Sequence, residues 1–214
     1  MLAATGVDAR GQLFPLAFAI VSAENDSNWD WFLKHLHSIV DENLPTSITT
    51  IDEVTFLSDR QKGLLESVGT WFPGSPHAYC LRHLVDNFKK QYKHKDLTVL
   101  LWQAARATTE EDFHTACNAM RATNSTCIDW LFKAAHPMHW ATVYFHGHRY
   151  GHLTSTIAEL LNSWLLQARD LPIERMYEAI RVKLMGWYVE RREFAAKHEE
   201  LRLVPEVQPL QSNL

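Results

Sequence analysis

The sequence predicts a mixed α/β fold that carries a helical insertion. Three observations predict it. Short apolar runs alternate with helical patterns up to Cys80, the order expected when strands and helices share one layered core. From position 81 to about 135 the periodicity is helical almost without interruption. The C-terminal part then shows two long amphipathic helical patterns and no further strand.

Taken in order, positions 1–7 form a short apolar run that ends in GVDARGQ, where Asp8, Arg10 and Gly11 are turn residues. The next stretch, LFPLAFAIVSAE, reads as a buried strand returning antiparallel to the first, with Pro15 suited to an edge position or the strand's start. Ser27 or Asn28 is expected to cap the first helix, whose buried face is drawn by Trp29, Phe32, Leu33, Leu36, Ile39 and Val40. EVTFLS is the next strand, and Asp59 stands where it runs out. Leu64, Leu65, Val68 and Trp71 mark a second helix, stopped by FPG, and HAYC is a short strand. The helical stretch that follows is broken near 94–96, 108–109 and 124–125, and two histidine-rich loops, AHPMHW and YFHGHRYGHL, come after it. TSTIAELLNSWLLQAR is a helix with Ile157, Leu160, Leu161, Trp164 and Leu165 on its apolar face. Pro172 opens the last helix, whose face is Ile173, Met176, Tyr177, Ile180, Leu184 and Trp187. This organisation gives one domain over 1–200, with the helical insertion at about 84–140, and a loose tail at 201–214.

Composition narrows the function classes. With 46% hydrophobic residues, eight tryptophans and ten phenylalanines, the chain can fill a packed interior, which excludes a disordered protein. Lys and Arg number 21 against 25 Asp and Glu, so the surface as a whole is no polyanion binder. Three cysteines (Cys80, Cys117 and Cys127) are too few and too odd in number for a disulfide scaffold, and point to a reducing, intracellular setting. No apolar run is long enough to span or export, so no membrane partner is expected.

Four features could carry chemistry. Asp59 closes a strand, where open α/β sheets bind ligands and metals, and it would serve equally as a helix N-cap. Glu159 sits beside the apolar stripe of its helix, on a strip with Ser155 and Asn162 that either faces a pocket or is simply solvated. Cys80 and His83 form a Cys-x-x-His unit, half of a zinc site or a thiol–imidazole pair, with no second tight pair to complete the former. Arg82, Lys89, Lys90, Lys93 and Lys95 make a basic stripe that could meet phosphate or water.

In order, these residues resemble a known arrangement. GVDARGQLFPLAFAIVSAENDSNWDWFLKHL, then FLSDRQKGLLESVGTWFPGSPHAYCLRHLVDNFKK, then TSTIAELLNSWLLQARDLPIERMYEAIR are similar to successive blocks of the Mutator-like element (MULE) transposase domain, over about 2–192. The middle block, with Ser-Asp-Arg-x-Lys-Gly-Leu followed by Cys-x-x-His-Leu, is the most specific. The resemblance implies an RNase H-like mixed sheet flanked by helices, and chemistry in which three carboxylates hold Mg²⁺ or Mn²⁺ for phosphodiester transfer on DNA. Asp59 matches the second acidic position and Glu159 the third. Cys80 and His83 match a family signature whose role stays open, and a complete zinc site is not expected. The family's first aspartate stands on a strand that precedes the block opening this sequence, and Asp8 lies in the wrong turn to replace it. The resemblance therefore implies a core fragment, nuclear in setting if functional and inactive by itself. The alternative is a non-enzymatic DNA- or protein-binding remnant of a transposase, with oligomer formation left open.

Overall fold

The computed structural model describes residues 1–8, 11–43 and 51–197. In chain order its elements are β1 (Leu2–Val7), β2 (Leu13–Ala19), α1 (Asp26–Glu42), β3 (Phe56–Ser58), α2 (Lys62–Trp71) and β4 (His77–Tyr79). They continue with α3 (Leu81–Gln91), α4 (Lys95–Arg106), α5 (Glu110–Thr123), α6 (Cys127–Ala134), α7 (Thr156–Arg169) and α8 (Ile173–Lys197). Single 3₁₀ turns stand at Ile51–Glu53, Pro137–His139 and Thr142–Tyr144. The mixed α/β class holds. Among the described residues, however, the strands make two separate pairs, β1–β2 and β3–β4, in place of one mixed sheet. Strands as short as β3 and β4, three residues each, offer few ladder bonds with which to recruit a further strand. The expected loose tail at 201–214 lies outside the described residues.

The chain divides into two compact units, residues 1–2 with 19–155 and residues 3–18 with 156–214. In the first, α1 begins two to three residues earlier than the sequence suggested. Asn25 is the cap, and its Oδ1 accepts the Asn28 N–H at 2.9 Å and the Ser27 hydroxyl at 3.0 Å. Asn28 is committed elsewhere, because its side-chain amide donates to the Ala23 carbonyl. Trp29, Phe32, Leu33 and Leu36 are buried as their spacing requires, and the stripe fades over the last turn, where Ile39 is exposed. α2 lies against α1 so closely that a Cβ on Gly63 would stand 2.6 Å from the Asp26 Cα, which only glycine permits. The Trp71 indole fixes the other end by donating to Asp30 at 2.8 Å. α2 is the crossover between β3 and β4, which pair in parallel with Phe56 opposite His77, Leu57 opposite Ala78 and Ser58 opposite Tyr79.

The helical breaks fall where the periodicity placed them, between α3, α4, α5 and α6. α5 is started by Thr109, whose hydroxyl accepts the Asp112 N–H and donates to the Asp112 carboxylate, with Glu110 and Glu111 also set against the positive helix end. The four helices enclose one apolar cluster built on Phe88, Leu101, Phe113, Met120, Ile128 and Trp140, all essentially inaccessible. The polar edge of Trp140 is satisfied by the Ala135 carbonyl at 3.0 Å. The three cysteines are buried free thiols; burial pushes Cys117 up to about 11 and raises Cys127 as well, so both stay neutral and unreactive.

The second unit gathers the β1–β2 hairpin residues with α7 and α8. A five-residue link between paired strands leaves only the antiparallel return. The turn is closed by the Asp8 N–H on the Gln12 carbonyl at 2.9 Å and by Gly11, whose φ of +71° suits glycine. Pro15 lies inside β2, which has β1 as its sole partner among the described residues. On α7, Leu161 and Leu165 are buried as expected, but Leu160 is 55% exposed. On α8 only Ile180 is buried, while Ile173 and Tyr177 face solvent. The helices are joined by Trp164 stacked on Trp187 (4.7 Å, 19°) and by Lys183 donating to the Trp164 carbonyl. Arg191 ties α8 to the hairpin. Its guanidinium donates to the Leu13 carbonyl, pairs with Asp8 at 3.4 Å and lies over the Phe14 and Trp187 rings.

Candidate active site

The parallel β3–β4 pair has one end where both strands stop together, and the chemistry-bearing residues of the first unit collect there. The Cys80 N–H donates to the Ser58 carbonyl at 2.7 Å, extending the ladder by one bond beyond Tyr79. Asp59 follows β3 directly and Cys80 follows β4, so they occupy the C-terminal strand ends, where crossover α/β units hold ligands. Asp59 is half-buried, and its Oδ1 accepts the Gln61 N–H at 3.1 Å. It does not cap α2. Gln61 does so, its side-chain carbonyl accepting the Leu64 N–H at 2.6 Å. The helix-cap reading of Asp59 is thereby corrected to a turn-bracing one that leaves the carboxylate at the strand end.

Around it stands a set of polar residues that sequence reading missed. The Ser58 hydroxyl donates its single proton to the Asp59 carbonyl at 2.7 Å, so the 2.8 Å contact with His77 must have His77 Nε2–H as donor. That bond uses neutral imidazole. Burial, with the nearby His139 second, lowers the His77 pKa to about 4. His139 Nδ1–H donates to the His77 carbonyl at 2.8 Å and its ring stacks on Tyr79 (4.2 Å, 9°). Burial raises the Tyr79 pKa, partly offset by the Arg60 guanidinium, which also donates to the Ala134 carbonyl. Beside these residues a cavity of about 290 Å³ is lined by Val68, Phe72, His77, Tyr79, Met138 and His139. The signal was available in part, since HAY was legible as strand β4, but the His139 partner lies 62 positions away.

The remaining sequence candidates are distributed as follows. Cys80 is fully buried and its sulfur accepts the Ser155 N–H at 3.3 Å, while His83 is exposed on the first turn of α3. A buried sulfur with a backbone donor is a structural thiol in its surroundings. Glu159 is half-buried in the first turn of α7, where the helix dipole favours a carboxylate. Its neighbour Asn162 accepts from Arg169 at 2.8 Å. Asp59 belongs to the first unit and Glu159 to the second. Arg82, Lys89, Lys90, Lys93 and Lys95 are all exposed, and Lys89 pairs with Asp86 at 3.8 Å. Among the described residues, no group of three or more His, Cys, Asp or Glu is arranged to hold a metal ion.

Residues 1–87 match the family model of the MULE transposase domain. Over those residues the chain is similar to that domain. The matched stretch runs from β1 into α3 and contains Asp59, Cys80 and His83; Glu159 and the third block quoted above lie beyond it. No curated protein and no solved structure matches the chain. No helix among the described residues is long and apolar enough to cross a membrane.

Proposed function

We propose that residues 1–214 are an RNase H-like catalytic-core portion of a MULE transposase, acting on DNA, with Asp59 and Glu159 as two carboxylates of a metal-dependent phosphodiester-transfer site. The observation that carries this reading is Asp59 itself. It lies in the family-matched stretch, at the C-terminal end of a strand in a parallel crossover unit. The donors fit a divalent cation in kind, because Mg²⁺ and Mn²⁺ prefer hard carboxylate oxygen, whereas buried Cys80 offers only a soft sulfur. Asp59 and Glu159 would hold such an ion, which when bound neutralises the scissile phosphate and activates the attacking oxygen. The resemblance assigns two carboxylates of this sequence, Asp59 and Glu159, to that site. Two carboxylates position a metal less well than three, so we expect residues 1–214 to bind Mn²⁺ weakly and to cleave nothing.

Two measurements test this. Mn²⁺ titration followed by electron paramagnetic resonance should give weak binding that Asp59→Asn and Glu159→Gln each reduce by about tenfold or more. Incubation with a labelled duplex in Mg²⁺ or Mn²⁺ should leave it intact. Unchanged Mn²⁺ binding in both variants ends the metal-site reading. Wild-type cleavage abolished by both substitutions would keep the site and overturn the inactivity. A second reading, a non-enzymatic DNA-binding remnant, is favoured by the exposed lysines 89, 90, 93 and 95, and would show as DNA binding with no Mn²⁺ effect.

A further inference from the structure

The first unit contains another cavity, of about 510 Å³, formed where the loop after Thr142–Tyr144 passes the end of α4. Its wall includes Arg106, Thr142, Phe145, His148, Arg149 and Tyr150, and no carboxylate among the described residues lines it. Arg149 is half-buried and rigidly held. Nη1 donates to the Trp140 carbonyl at 3.1 Å, Nη2 donates to the Thr142 hydroxyl at 2.9 Å, and the guanidinium lies 4.7 Å over the Phe145 ring. All of these partners are neutral, and among the described residues Arg149 has no carboxylate within ion-pair distance. A cation drawn partly out of water without a counter-ion is costly to the fold, and burial pulls its pKa down. A guanidinium carries five N–H donors, so two bonds leave donors for a ligand. Arg106, exposed at the last turn of α4 and lying over the Trp102 ring, adds a second guanidinium with no ion pair among the described residues to the same wall.

The rim is equally unusual. Tyr150 is 87% exposed and has φ of +47°, a left-handed conformation that a bulky residue adopts at a cost, followed by Gly151 at +80°. His148 stands beside it, ring centroids 5.9 Å apart. An aromatic ring held in water on strained backbone adds nothing to the core. Lining the same cavity as two guanidiniums, it makes a surface on which a base can stack while its phosphate is neutralised. Duplex DNA keeps its bases stacked inside, so the ring favours a single strand. We propose that this cavity binds single-stranded DNA, with a phosphodiester on Arg106 and Arg149 and an adjacent base on Tyr150. The choice of DNA rests on the transposase-derived reading; the phosphate and base contacts rest on the cavity alone.

The test is fluorescence anisotropy of a short labelled oligonucleotide with the full 214-residue chain. EDTA is present throughout, so the outcome does not depend on the metal reading of Asp59 and Glu159. Single-stranded DNA should bind more tightly than the same sequence as duplex or as RNA. Tyr150→Ala should weaken it roughly tenfold and Tyr150→Phe should not, and an oligonucleotide of abasic sites should bind the wild type as weakly as DNA binds Tyr150→Ala. Arg106→Gln should weaken binding and lower the slope of log affinity against log salt by about 0.7. Arg149→Gln should do the same; because Arg149 also braces Trp140 and Thr142, its circular dichroism is checked, and Arg106→Gln decides if it misfolds. Wild-type affinity in both Arg106→Gln and Tyr150→Ala would overturn the proposal, as would preference for duplex or RNA. Full competition by inorganic phosphate, with no effect of Tyr150→Ala, would make the cavity a simple anion site and overturn it too.

Discussion

The α3–α6 cluster and the α7–α8 pair use the same helical periodicity to opposite effect. In the cluster, residues spaced three and four apart are covered on every side, and Phe113, Met120, Ile128 and Trp140 are inaccessible. Along the 25 residues of α8 only Ile180 is buried, and the helix is tied to its unit by Arg191 and Trp187. A stripe of apolar residues shows where a helix can be covered, and a partner decides how much of it is. The first unit is therefore held by volume filled, the second by a few directional contacts.

The strongest way to break the contrast is to empty the cluster. Phe113→Ala removes a ring that meets Phe132, Trp140 and Tyr144, and should cost about 3–5 kcal/mol in urea unfolding. Hydrogen exchange should locate the loss in α3–α6. The next effect comes through acid. His77 is lowered to about 4, so the unfolded chain takes up a proton near pH 6.5 that the folded one refuses. Stability of the first unit is complete above pH 6.5 and falls as pH drops towards 4, by on the order of 3 kcal/mol, then levels. His77→Gln, which can still donate to Ser58, should flatten that decline; an unchanged profile would show that another group titrates. The smallest effect belongs to the second unit. Arg191→Ala removes the Asp8 pair and the Leu13 bond and should cost about 1–3 kcal/mol, read as faster exchange in the hairpin with α3–α6 unaffected.

Much of the first unit was legible because its signals are local. The breaks between α3, α4, α5 and α6 coincide with lapses of periodicity, and Asp59 falls at a strand end because EVTFLS stops being apolar there. Caps were less legible. Asn25 and Gln61 took the places assigned to Ser27, Asn28 and Asp59, since several polar residues stood in reach and only backbone geometry selects one. The histidine and tyrosine network on β4 was only partly legible, for a different reason. It joins His77 and Tyr79 to His139 through a fold that no short spacing encodes. Leu160 and Ile173 were assigned to buried faces by periodicity alone, which records pattern without recording cover. Strand pairing was no more legible, because it is a long-range choice; among the described residues the strands make two separate pairs.

The bond from Arg191 to the Leu13 carbonyl spans 178 positions, and that span has a consequence for biosynthesis. The hairpin leaves the ribosome well before the helix that clamps it. At about 5–20 residues per second, the nascent hairpin waits roughly 10–35 s for its partner. Through that interval Phe14 lacks the Arg191 and Tyr188 contacts of the finished chain, while the first unit's β3–α2–β4 segment and its helices can already close on local contacts. Synthesis therefore leaves the hairpin open to nascent-chain chaperones until α8 emerges.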